Sequence, residues 1–325
     1  MHNRFLIAVD SGKSTTKAVM REGTIQRVKF ETKVEEVSNL GAELTPGSYS
    51  VEFGSKNYLV GNMLDASKMD YTLSKRSETH RICIYLAIAQ LLQKSKQNTI
   101  LSKISLAINI PISLYKNQQQ KNAYGDFIRN NGETINIIVN NKPFLFRIEH
   151  IHLFPEGIGP IYSNLNLYRE KRVLIFDVGS LNVNIQEFNN LVPVYEKMLT
   201  ADSGVNILRS KIADKLSSQY GITISDSDVE AIYRDKYLII NGEKMEGSKQ
   251  IVDQLMANHL KEIFNFARSR KVSFANTEII FVGGGSLLLK EHILQEYPAA
   301  ISNDAQIANA LSFLTILEAK HHGQA

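Results

Sequence analysis

Phe5-Leu6-Ile7-Ala8-Val9-Asp10-Ser11-Gly12-Lys13-Ser14 is a short apolar run that ends in Asp-x-Gly and small polar residues. Thr15, Thr16, Lys17 and Ala18 follow, and the chain is expected to fold back there as a second strand. The design recurs in Val173-Leu174-Ile175-Phe176-Asp177-Val178-Gly179-Ser180, continuing through Asn182 and Ile185. Short apolar runs bounded by turn residues read as buried strands. A duplicated Asp-x-Gly hairpin reads as two facing half-sites for one polyphosphate.

The residue types fit that chemistry. Asp10 and Asp177, at the carboxyl ends of apolar strands, can orient waters around a hard divalent ion such as Mg2+. Gly12 and Gly179 let the backbone turn tightly and approach phosphate oxygens, while Ser11, Ser14, Thr15 and Ser180 offer hydroxyls and N–H groups to an anion. Lys13 or Lys17 adds positive charge. Gly12-Lys13-Ser14 ends like a Walker A loop, but that motif needs a second glycine where Ile7 stands inside the strand, so the P-loop reading fails.

Composition bounds the rest. With 325 residues and 43% hydrophobic content, the chain is long enough for one large or two medium cores, and length favours two. A net charge of +4, from 37 basic and 33 acidic residues, is too balanced to argue for direct nucleic-acid binding. Cys83 is the single cysteine, which excludes disulfides and thiolate clusters and points to a reducing cytoplasm. The run from Phe5 to Val9 is too short for a signal peptide or membrane span, so no membrane role is expected.

The organisation reads as α/β. Further strand-like runs occupy 18–20, 105–110, 135–139, 144–148, 183–188 and 278–282. Val252, Leu255, Met256, His259, Leu260, Ile263, Phe264 and Ala267 follow the spacing of one buried helix face. Leu208, Ile212, Leu216 and Tyr220 mark a second helix, and Ile82, Leu86 and Ala89 a stripe on a third. Residues 31–72, with Gly41, Pro46, Gly47, Gly54 and Gly61 among short β-branched and aromatic runs, read as a small inserted β-rich module. His150 and His152 share a strand face but lack a third ligand at suitable spacing, and Lys94, Lys96 and Lys103 read as a solvated basic face.

Three more segments complete a candidate site. Phe154-Pro155-Glu156-Gly157 is a rigid connector that would fix Glu156. The stretch from Thr200 to Asn206 opens a helix whose N–H groups and polar side chains could hold ribose or phosphate, with Asp202, Gly204, Asn206 and Lys211 as the candidate contacts. Phe281-Val282-Gly283-Gly284-Gly285-Ser286 ends a strand in three glycines that permit backbone contact with a flat ring.

Two Asp-x-Gly hairpins, a Pro-Glu-Gly connector and a strand ending in Gly-Gly-Gly, in that order, resemble the actin, Hsp70 and sugar-kinase superfamily over essentially the whole chain. Within it, the length and the 31–72 module look most like the bacterial actin-like ATPases of plasmid segregation, the ParM type. The resemblance implies a duplicated, ribonuclease H-like fold with two domains around a nucleotide cleft: residues 1–157 completed by 304–325, carrying 31–72 as a small subdomain, and residues 158–303. It implies that residues 10–17 and 177–182 are the phosphate loops, that Gly283, Gly284, Gly285 and Ser286 form the adenosine loop, and that 154–157 and 304–310 are the connecting segments. Glu156 then falls at the water-positioning place, with Asp10 and Asp177 facing the metal. After Asp177-Val178-Gly179 the family usually carries more Gly or Thr, and Asn184 stands where relatives often have Asp.

Three function classes follow from the resemblance. The first is a filament that polymerises with ATP or GTP and Mg2+, hydrolyses the nucleotide to ADP (or GDP), and segregates plasmid DNA through a DNA-bound, ParR-like centromere-binding adaptor. The second is a small-molecule, sugar-type kinase, although no Asp in 157–172 stands as its base. The third is a dehydratase-activator ATPase, which needs cluster-ligating cysteines that a chain with one cysteine lacks. An Hsp70 would carry a peptide-binding domain beyond this length.

Overall fold

The run at Phe5 forms an interior strand, β1 (Arg4–Ser11), which folds back antiparallel onto β2 (Thr15–Glu22) and pairs in parallel with β7 (Ser102–Ile110). This is a computed structural model that describes residues 3–38, 43–70, 75–298, 300–302 and 304–323. Its contacts divide the chain into two units, Met1–Leu165 with Ile307–Ala325, and Asn166–Gln306.

In the first unit, β3 (Thr24–Glu31), β4 (Val34–Val37), β5 (Ser48–Phe53), β6 (Lys56–Gly61), β8 (Ile135–Val139) and β9 (Lys142–Pro155) join β1, β2 and β7. They make a nine-stranded sheet ordered β3-β2-β1-β7-β9-β8-β5-β6-β4. Residues 31–72 therefore extend this sheet through the pairing of β5 with β8, which satisfies backbone groups that a separate module would leave at an edge. Of that stretch, 39–42 and 71–72 lie outside the described residues.

Successive strand residues point to opposite faces, so the full burial of Ile7, Ala8 and Val9 requires cover on both sides of β1. Helix α1 (Glu78–Lys94) packs on β1, β2 and β3. It starts where the Ser77 side chain accepts the His80 N–H. Ile82, Leu86 and Ala89 are buried as the stripe predicts, but so are Cys83, Ile84, Tyr85, Ala87 and Ile88, so the helix is enclosed all round. A one-face reading was too narrow, because an apolar run this dense has no solvated side. Two short helices follow β7, α2 (Ile112–Tyr115) and α3 (Gln118–Ile128).

Helix α4 (Leu165–Tyr168) precedes the second unit's central strand β10 (Arg172–Val178). β10 repeats the β1 arrangement, antiparallel to β11 (Val183–Asn189) and parallel to a later strand, β16 (Glu278–Val282). β12 (Val192–Pro193) and β13 (Leu199–Ala201) flank β11, and β14 (Leu238–Ile240) pairs with β15 (Glu243–Met245). The helices are α5 (Val205–Tyr220), α6 (Asp226–Asp235), α7 (Glu246–Ser269), α8 (Gly284–Leu288) and α9 (Lys290–Glu296). The α7 stripe is buried at Val252, Met256, His259, Leu260, Ile263, Phe264 and Ala267, against an aromatic cluster in which Phe176 and Phe281 stack at 4.9 Å. Phe264 meets both rings edge-on, and Phe264→Ala would cost about 3–5 kcal/mol. The chain ends in α10 (Ala308–His322), which packs in the first unit on β1, β2 and β7. Among the described residues no helix is long and apolar enough to cross a membrane.

Candidate functional site

The two Asp-x-Gly segments are built alike. In the first, Gly12 N–H donates to the Thr15 carbonyl (3.2 Å), and in the second Gly179 N–H donates to the Asn182 carbonyl (2.9 Å). Asp10 stands opposite Lys17, and Asp177 opposite Asn184, at the same offset from each turn. A Cβ on Gly12 would lie 2.8 Å from the Thr15 oxygen, too close without a backbone shift, and one on Gly179 3.0 Å from the Asn182 oxygen, a tight fit, so both turns favour glycine.

The residues opposite the two carboxylates differ in charge. Lys17 Nζ lies 3.7 Å from Asp10 Oδ2, whereas the position opposite Asp177 carries the neutral Asn184, whose side-chain oxygen accepts from Thr200 Oγ1 at 2.9 Å. Lys13 pairs with Asp70 at 3.6 Å, and burial holds its amine below the ordinary lysine value despite that partner. Gly12, Lys13, Ser14, Thr15 and Lys17 are partly exposed and form the accessible surface of the first hairpin.

Ser11 departs from its expected role. It is fully buried, with its N–H on Asn109 Oδ1 (2.9 Å) and its hydroxyl 3.2 Å from His80 Nδ1. Its carbonyl accepts from Lys75 Nζ. The hydroxyl assigned to phosphate therefore faces the interior, on the side of β1 opposite to the Asp10 carboxylate, and Asp10 itself is only 6% exposed.

Glu156 follows β9 and is fixed by its N–H on the Ile110 carbonyl (3.0 Å). Its Oε1 lies 2.5 Å from Nζ of Lys75, a lysine only 2% exposed. One ammonium thus joins the first hairpin to the connector carboxylate. Phe154 stacks on Phe313 of α10 at 5.2 Å, and Gly159 N–H donates to Asn309 Oδ1 at 2.8 Å, so the end of β9 and the loop after Glu156 pack on α10 within this unit. Lys75, His80, Asn109 and Tyr124 all escaped the sequence reading. Asn109 carried one signal, a polar residue near the end of an apolar strand; Lys75 carried none.

In the second unit, α5 corrects another expectation. The N–H groups of Val205 and Asn206 donate to the carbonyls of Gly179 and Ser180, and that of Ile207 to Gly204, so the helix start caps the hairpin and does not offer these donors to a ligand. Gly204 is buried against the turn, where a Cβ would lie 2.2 Å from the Leu181 carbonyl carbon. Asp202 is exposed and Asn206 partly so, while Lys211 Nζ binds both Glu262 oxygens at 2.8 Å. Gly179, Ser180 and Asn182 remain partly exposed.

The glycine triplet divides by role. Gly283, at φ +87°, lies against β10, and a Cβ there would come within 2.5 Å of Asp177 Oδ1 and of the Val178 carbonyl. Gly285 is packed on Val178 and Val205, and the buried Ser286 hydroxyl donates to the Gly283 carbonyl at 2.8 Å, so neither presents the surface expected of it. Gly284 is exposed with open space where a side chain would project. It is the glycine of this loop that a ligand can approach.

Among the described residues no three His, Cys, Asp or Glu side chains group as a protein metal cage would require. Single carboxylates such as Asp10 and Asp177, each two residues before a glycine turn, are donors of the kind that could hold Mg2+, which keeps most of its waters and is commonly bound by one or two carboxylates and substrate phosphates.

A duplicated β-hairpin with a parallel neighbour strand, bearing Asp-x-Gly in each of two units, defines a protein of the actin fold. The chain belongs to the actin-like proteins: residues 8–159 match the family described as actin like proteins N terminal domain, and residues 175–295 that described as archaeal actin homologue MreB-like, C-terminal. Its fold is that of the ParM-type members. A 15-stranded ParM filament protein from Clostridium botulinum aligns at TM-score 0.76 and 20% identity, over 98% of this chain and 99% of that one. The archaeal actin homologue Ta0583 aligns at TM-score 0.79 and 16% identity, over 97% and 99%. AlfA from the B. subtilis plasmid pLS32, solved as a filament, aligns at TM-score 0.64 and 16% identity, over 95% and 98%. No curated protein matches the chain in sequence.

Proposed function

We propose that this chain is a nucleotide-dependent, ParM-type filament ATPase that binds ATP (or GTP) with Mg2+, polymerises, and hydrolyses the nucleotide to turn the filament over. The observation that carries the reading is the repeated hairpin register, with Glu156 tied through Lys75 to the first hairpin. Solved neighbours include the ParM and AlfA filaments and an archaeal homologue in complex with ADP.

In this reading the nucleotide supplies the phosphoanhydride bond, and Mg2+ neutralises its charge. The partly exposed residues Gly12 to Thr15 and Lys17 bind phosphate in the first unit, and Gly179, Ser180 and Asn182 do so in the second. Gly284 admits the nucleoside, with Asp202 and Asn206 as further contacts. Glu156 orients the attacking water, the main task left to protein groups in phosphoryl transfer to water. Head-to-tail contacts between copies propagate an open polymer. A DNA-bound adaptor of the ParR kind would couple that polymer to plasmid segregation in the cytoplasm.

Light scattering and electron microscopy after addition of ATP and Mg2+ test the proposal. Filaments are expected with ATP or GTP and not without. Glu156→Ala should still polymerise, with phosphate release slowed by roughly 10²- to 10⁴-fold and filaments persisting longer. Nucleotide turnover that begins only when a sugar acceptor is added, with no polymer, would favour the kinase instead.

A further inference from the structure

Every polar group of Ser11 is held from behind. Asn109 and Lys75 grip its backbone, as they could at any residue in this position, but His80 holds the side chain. His80 sits on the first turn of α1, is 3% exposed, and places its second nitrogen 3.0 Å from the hydroxyl of the buried Tyr124 on α3. Burial, reinforced by the charges of Lys75 and Lys13, pushes its pKa well below the ordinary value, so the ring is neutral. A neutral imidazole has one donor and one acceptor, and the Ser11 and Tyr124 hydroxyls take complementary roles on it.

We propose that His80 is a positioning residue for nucleotide binding, which acts through the Ser11 hydroxyl to hold the first hairpin in its phosphate-receiving conformation without touching the ligand. The inference rests on the nucleotide function proposed above. It assigns Ser11 the role of an anchor, and leaves phosphate recognition to the accessible residues that follow. A histidine that merely filled space would act by ring shape, and its two nitrogens would be interchangeable. Here they are not.

Two substitutions separate the nitrogens. His80→Asn keeps a polar atom near the Nδ1 position and loses the reach to Tyr124; His80→Gln keeps one near Nε2 and loses Ser11. Binding of a fluorescent ATP analogue in Mg2+ buffer is measured on both, on Ser11→Ala and on wild type. In parallel, hydrogen exchange of amides 12–15 is followed without nucleotide. His80→Gln and Ser11→Ala are expected to bind roughly 3- to 10-fold more weakly, the equivalent of one buried hydrogen bond, and to exchange those amides faster. His80→Asn should stay closer to wild type in both readouts. Equal losses in the two His80 variants, or a larger loss in His80→Asn, would overturn the inference, as would Ser11→Ala at wild-type affinity. A wild-type chain that binds neither ATP nor GTP removes the nucleotide reading and this inference with it, whereas tight binding by wild type and all variants removes this inference alone.

Discussion

Replacing Lys75 with Met removes the ammonium that joins the first hairpin to Glu156. An exposed ion pair contributes about 0–1 kcal/mol, but breaking a buried one costs about 3–5 kcal/mol because the remaining charge stays desolvated. The Lys75 and Glu156 side chains are 3% and 11% exposed at a separation of 2.5 Å, which puts the pair in the buried class. The residual access of Glu156 to water favours the lower end of that range. Loss of the donor to the Ser11 carbonyl is offset in part by Asn109 Nδ2, 3.5 Å from the same oxygen. The expected cost of Lys75→Met is therefore about 3 kcal/mol. Since the chain has no Trp, guanidinium unfolding is followed by far-UV circular dichroism for Lys75→Met, Glu156→Gln and the double variant. A coupling energy of about 1–3 kcal/mol is expected, with the double variant more stable than the sum of the single losses predicts. Additive losses would refute the argument, since they would mean that the two groups do not sense each other.

Three further outcomes are expected. Because the folded pKa of His80 lies below the unfolded value of 6.5, the unfolded chain binds more protons below that pH; stability is therefore present above pH 6.5 and lost as pH falls. Melting temperatures between pH 7 and pH 5 should fall more steeply for wild type than for His80→Asn, and parallel curves would show that His80 does not contribute. Gly283→Ala, which needs a positive φ and meets Asp177 and Val178, should lose more than about 1 kcal/mol, while Gly284→Val folds normally and loses nucleotide affinity; unchanged affinity in folded Gly284→Val would move the nucleoside elsewhere. Asp10→Ala and Asp177→Ala should each weaken Mg-nucleotide binding by about tenfold or more, near 1.4 kcal/mol, and near-wild-type turnover in both would remove the metal-facing assignment.

The sequence by itself determined the elements that local pattern controls. The apolar runs ending in Asp-x-Gly became β1 and β10 with matching turns, and the periodic stripe of α7 became a buried face. Turn chemistry and periodicity are short-range, so a few residues suffice to state them. Tertiary structure alone decided which polar atoms face outward. Lys75 reached Glu156 and Ser11 across gaps in sequence that no motif spans, and β5 joined β8 to draw 31–72 into the main sheet. The Ser11 hydroxyl, the Ser286 hydroxyl and the N–H groups opening α5 all bear the residue types of ligand contacts, yet each is satisfied inside the protein. Residue type fixes what a group is able to bind. Whether that group is still available depends on the buried donors and acceptors around it, which must find partners once water is excluded, and only the packed chain supplies those.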